Sequence, residues 1–181
     1  MTTISVTQFL STILFGLHAK KIDKRTLYIS GLVIVVAAQV SAWFIAKDTM
    51  TFIAMMSLSF MGYAFTSCAS PAMFADTCDY AEWKTGKSAK GFFMGMANLP
   101  PKIALITTGA FTGYALSALG YVPNAPSTPQ LENGIRMLIH LVPAGAAVLG
   151  IVIMTTFNKL TVSKTKELQR EIQSRNNNIA A

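Results

Sequence analysis

The sequence predicts an all-α polytopic membrane protein, and three observations carry that prediction. Charged residues make up only 13% of the chain, against about 25% in an ordinary soluble domain, and the mean hydropathy is +0.45. Apolar runs long enough to cross a bilayer recur along the chain, separated by short polar stretches. The lysines and arginines fall in blocks between those runs rather than on one face, so the net charge of +7 is a topology signal and not a nucleic-acid footprint.

Five spans follow in order. Residues 2–18 are Ser/Thr-rich and barely long enough to cross. Residues 27–46 (LYISGLVIVVAAQVSAWFIA) are the cleanest run, since about twenty helical residues at roughly 1.5 Å each match a hydrocarbon core about 30 Å thick. Residues 50–74, 91–119 and 135–157 complete the set. Each is expected as a helix, because a lone span must satisfy its own backbone hydrogen bonds and none shows the short alternating pattern of a barrel strand. Residues 158–181 form a polar tail. Glu167–Arg170 and Glu171–Arg175 have helical spacing there, and Leu160, Leu168 and Ile172 make a modest apolar stripe. A solvated extension that fixes topology is the expectation, with a short helix on the inner leaflet as the alternative.

Basic residues orient the spans. HAKKIDKRT carries Lys20, Lys21, Lys24 and Arg25; the stretch after the third span carries Lys84, Lys87 and Lys90; the tail carries Lys159, Lys164, Lys166, Arg170 and Arg175. The two alternate loops hold Lys47 alone. The positive-inside bias makes the basic side cytoplasmic, so the chain is expected in the cell membrane with its C-terminus in the cytoplasm. Five spans then place the N-terminus outside. A weak first span entered from that side reads as the back part of a longer protein.

Residues 75–87, ADTCDYAEWKTGK, interrupt two nearly uncharged flanks with Asp76, Asp79, Glu82, Lys84 and Lys87. They are expected as a short cytoplasmic loop. Lys102 lies a dozen positions into the fourth span, where an ionisable group costs about 2.5–3.5 kcal/mol on insertion scales and is expected to face a partner or a wet cavity. Snorkelling to the interface is the plainer alternative. Asn98 is one turn earlier on the same side, and Pro100 and Pro101 precede the lysine, so a kink or break is expected there. Arg136 is expected to snorkel and His140 to make a packing hydrogen bond between helices. GFFMG at 91–95 and GAFTG at 109–113 permit close helix approach. Cys68 and Cys78 give neither a metal spacing nor a disulfide framework. No nucleophile with a paired base, phosphate loop or His/Cys cluster is present, so catalytic and metal sites are expected to be absent.

ADTCDYAEWKTGK, followed by Gly91, Lys102, GYVPN and GIRMLIHLVPA, resembles the glycoside–pentoside–hexuronide:cation symporters, the melibiose-permease-like branch of the major facilitator superfamily. Their pattern before the eleventh helix runs approximately A-D-x-x-D-Y-[GA]-E-[WY]-K-x-G. Ala75, Asp76, Asp79, Tyr80, Glu82, Trp83, Lys84 and Gly86 match it. The resemblance covers essentially the whole chain, as part of the C-terminal six-helix half followed by the tail.

It implies a twelve-helix fold of two six-helix halves with a sugar or glycoside bound between them, moved by alternating access. It implies substrate binding or coupling at Lys102, with Asn98 beside it, and a cytoplasmic gate of Asp76, Asp79 and Glu82 served by Lys87 and Lys90. No cofactor is implied. The coupling cation, Na⁺ or H⁺, is expected in the N-terminal half, which is the implied partner besides the lipid bilayer. Departures are Ser88 where a basic residue usually follows the glycine, Ile103 and Ala104 where glycine is usual, and the Pro-Pro pair. A small stand-alone structural or regulatory membrane protein, or a relative moving another solute such as a lysolipid, are the alternatives.

Overall fold

The computed structural model describes residues 9, 12, 13, 23–88, 90–126, 128–157 and 162–180. Their regular structure is entirely helical: α1 (Lys24–Ile45), α2 (Thr49–Thr85), α3 (Lys90–Met96), α4 (Leu99–Ala118), α5 (Pro129–Phe157) and α6 (Val162–Ala180). The expected first span at 2–18 lies outside the described residues, apart from three positions.

Three of these helices, α1, α2 and α5, are long and apolar enough to cross a membrane. α1 starts where the Asp23 carboxylate accepts from the Arg25 N–H at 3.3 Å, leaving one fewer orphan donor at its first turn. It packs against both α2 and α5. Leu32, Val35 and Ala147 form the shared core, with Tyr28, Val36, Tyr63 and Ile151 closing around them. The two backbones come close at Gly31 and Gly62. A Cβ on Gly31 would sit 2.7 Å from the Gly62 carbonyl oxygen, and one on Gly62 would sit 2.5 Å from that of Gly31. Small residues at a crossing allow this approach and gain packing that lipid cannot supply. By contrast, nothing lies within 4 Å of a Cβ built at Gly91, Gly95, Gly109 or Gly113.

α2 is longer than expected. Its 37 residues extend about 55 Å at 1.5 Å each, so the charged stretch after Phe74 continues as helix instead of a loop. The sequence between Pro71 and Gly86 has neither glycine nor proline to stop it. Gly86 ends it in a left-handed conformation at φ 74°, its N–H bonded to the Glu82 carbonyl at 2.9 Å.

The expected fourth span is divided. α3 ends at Met96 and α4 begins at Leu99, with Pro100 and Pro101 in the first turn of α4 where their missing N–H groups leave no helical bond unmade. The break anticipated from the proline pair is therefore at Ala97–Asn98. α4 has no buried residue. The tail expected as a solvated extension is a helix, α6, packed along the charged end of α2.

Candidate functional site

Two neighbouring regions collect the residues singled out in the sequence. The first is the charged end of the bundle, where α1 and α3 begin and α2 ends. Lys24 Nζ donates to both carboxylate oxygens of Asp76, at 2.9 and 2.8 Å. One turn on, Lys90 Nζ donates to Asp79 Oδ1 at 2.6 Å, and Gln169 Nε2 donates to Asp79 Oδ2 at 2.7 Å. The Asp79 side chain is only 9% exposed, so two good donors are needed to offset its desolvation. The hydrogen bond to Asp79 holds the Lys90 ammonium above the usual lysine pKa, more than burial lowers it.

α6 adds two further bonds. Trp83 Nε1 donates to Glu171 Oε2, and Arg175 Nη2 donates to the Glu82 carbonyl at 3.4 Å. A hollow of about 390 Å³ remains between these elements, lined by Asp79, Glu82, Lys90, Gln169, Ile172 and Gln173. The gate residues expected from the resemblance thus divide. Asp76, Asp79, Glu82 and Lys90 gather at this end. Lys87 follows the Gly86 turn on the surface, where its backbone bonds Thr85 Oγ1, and its side chain shows no ion pair among the described residues. Lys90 meets Asp79 because α3 starts four residues after Gly86, which turns the chain back toward α2.

The second region is a cleft of about 500 Å³ between α1, α2 and the α3–α4 break. Tyr28, Thr66, Ser67, Ser70 and Asn98 supply its polar wall, and Pro71, Phe74, Met94 and Pro101 its apolar one. Pro71 lies inside α2 and has no N–H, so the Ser67 carbonyl beside the cleft is left without its helical donor. Asn98 precedes α4, makes no side-chain capping bond and lines the cleft. Lys102 is not part of this wall. It stands exposed in the first turn of α4, where the helix dipole disfavours a cation.

At the opposite end of the bundle, Arg136 Nη2 bonds the Trp43 and Ala46 carbonyls at 3.2 and 3.0 Å and lies 5.8 Å over the Trp43 ring. It closes the C-terminus of α1, a more specific role than snorkelling. His140 Nδ1 and Gln39 Oε1 are 2.8 Å apart, the packing bond expected of His140. Lys24 and Gln169 are the site residues the sequence does not flag: one is a basic residue among several in HAKKIDKRT, the other a neutral residue of the tail.

Residues 1–160 match the profile of the family described as MFS/sugar transport protein. This chain belongs to that family. The glycoside–pentoside–hexuronide resemblance drawn from residues 75–87 agrees with this membership, and the family makes the protein a multi-pass membrane protein. Among its relatives are a putative 2,3-dihydroxypropane-1-sulfonate exporter of Escherichia coli, 30% identical over 92% of this chain and 36% of the relative. A putative sulfoquinovose importer of the same organism is 29% identical over 93% of this chain and 36% of the relative. The isoprimeverose transporter of Lactiplantibacillus pentosus is 30% identical over 77% of this chain and 30% of the relative. The chain therefore spans about a third of the length of these relatives, which are transporters and not enzymes by name.

Proposed function

We propose that this chain forms part of a secondary active transporter that carries a sugar or sugar-derived solute together with a cation by alternating access. The family match over residues 1–160 is the observation that carries this reading. The local chemistry supports it. A half-open cleft with hydroxyl and amide groups on one wall and a proline, phenylalanine and methionine on the other suits a hydroxylated solute, whose polar edges and apolar face need both kinds of contact.

Asn98 binds the solute from the α3–α4 break. Lys102, a cation at a helix N-terminus, creates a locally positive spot that favours an anionic or strongly accepting substrate group. The relatives named for a sulfonate and for sulfoquinovose fit that chemistry. The coupling cation, Na⁺ or H⁺, binds in the other half of the transporter. By the positive-inside bias the charged end is cytoplasmic, and Asp76 and Asp79 form the gate there. Since both acids are already paired within the chain, gating is an exchange of partners rather than a new burial of charge, which keeps the two states close in energy.

The test is uptake of labelled sulfoquinovose and isoprimeverose by vesicles holding the transporter, with and without Lys102→Val. The reading expects cation-dependent accumulation that the substitution abolishes while membrane insertion is unchanged. Normal accumulation by the variant contradicts the role of Lys102.

A further inference from the structure

The tail helix makes contacts that a topology-fixing extension does not need. Gln169, Glu171 and Arg175 each bond one residue of α2: the Asp79 carboxylate, the Trp83 indole and the Glu82 carbonyl. Leu168, next to Gln169, is 1% exposed and so sits in the seam. The four α6 positions fall within two turns, and the α2 positions within little more than one. That is a registered contact between two helices, not a loose adhesion.

We propose that α6 is a strap over the charged end of α2 and that Gln169 is a positioning residue for the Asp79 carboxylate. The proposal rests on the reading of Asp79 as a gate acid. Asp79 has two carboxylate oxygens, and the docked structure occupies both, Oδ1 by Lys90 and Oδ2 by Gln169. The Asp79 side chain is only 9% exposed, so a gate partner arriving from the facing half reaches it by displacing one donor. Lys90 brings a full charge and is attached eleven residues away along the chain. Gln169 is neutral and its hydrogen bond is the weaker of the two. Gln169 is the donor that yields. Docked, α6 keeps Asp79 covered and the gate apart; released, it uncovers Oδ2 to pair across the gate. The tail thereby sets the gate equilibrium without touching substrate.

The sign of charge at position 169 separates this from mere packing, because Lys and Glu differ little in bulk yet act oppositely on Asp79. In lipid nanodiscs, amide hydrogen exchange over residues 162–180 of the full chain is expected to slow in Gln169→Lys, to quicken about fivefold in Gln169→Ala, and to quicken further in Gln169→Glu. If Lys and Glu shift exchange in the same direction, or neither does, the strap is overturned. In the transporter, Gln169→Ala is expected to change turnover at least twofold with KM unchanged, and Gln169→Lys to change it in the opposite direction. Unaltered turnover in both overturns the positioning role. If the unsubstituted protein moves no sugar or sulfonated sugar, the transport reading fails instead, and the exchange series still decides the strap.

Discussion

Lys24 and Asp76, 52 positions apart, meet in a bidentate ion pair at 2.9 and 2.8 Å. The lysine comes from the basic stretch HAKKIDKRT, and the acid from the motif at residues 75–87. One contact thus joins topology to the site. It fixes the end of α1 against the part of α2 that continues beyond the apolar bundle.

Charge exchange tests that pair. Lys24→Asp and Asp76→Lys are each expected to loosen the charged end, while the double substitution recovers most of the loss. The side chains are 37% and 15% exposed, so the coupling is expected at the upper end for exposed pairs, about 1 kcal/mol. A double-mutant cycle on chemical unfolding in mild detergent reads it, and a coupling of zero contradicts the contact.

The crossing of α1 and α2 makes a sharper structural prediction. Gly31→Ala and Gly62→Ala place a methyl group on the facing backbone carbonyl, where overpacking costs about 1–3 kcal/mol. Gly95→Ala and Gly113→Ala meet open space and are expected to be neutral, or slightly favourable for the helix. Equal losses at all four sites would place the close approach elsewhere.

Gln39 and His140 are both buried, at 4% and 1% exposure. Removing one partner strands a polar group, so Gln39→Leu or His140→Leu is expected to destabilise by about 1 kcal/mol, within the range for orphaned buried groups. The double variant is expected to lose less than the sum. Full additivity in the same unfolding experiment contradicts a bond between them.

Lys102→Val is expected to leave folding within about 0.5 kcal/mol of the parent, as for other exposed positions, since α4 has no buried residue. A larger loss in the unfolding midpoint would show that the lysine serves packing and not substrate.

The parts of this fold legible in the sequence are those set by hydropathy and by proline. Residues 27–46 and 135–157 are close to α1 and α5, and the proline pair marks the α3–α4 break. The helical course of residues 75–85 is less visible, because a run of charge after an apolar span fits a loop as well as a helix; the glycine at 86 is the signal that bounds it. Closer still to function, Asp76 and Asp79 stand on one face of α2, a spacing apparent from the sequence. Their partners are not so apparent. Lys24 is one basic residue among several in its stretch, and Gln169 is a neutral residue on a polar helix, so neither carries a local pattern that names its contact. Long-range pairs of this kind are fixed by how helices dock, not by periodicity along either one. The same holds for Gly31 and Gly62, which share no motif, while the small-residue motifs at 91–95 and 109–113 face open space.

Cation-coupled transport of a sugar or sugar-derived solute, through a protein containing this chain, is what the proposed function requires. The most direct measurement is accumulation of labelled sulfoquinovose and isoprimeverose in proteoliposomes of the transporter under an imposed Na⁺ or H⁺ gradient. Accumulation above the external concentration is expected for at least one of them, collapsed by an ionophore that dissipates the gradient. Uptake no greater than in protein-free liposomes, under either gradient and for both solutes, would contradict it.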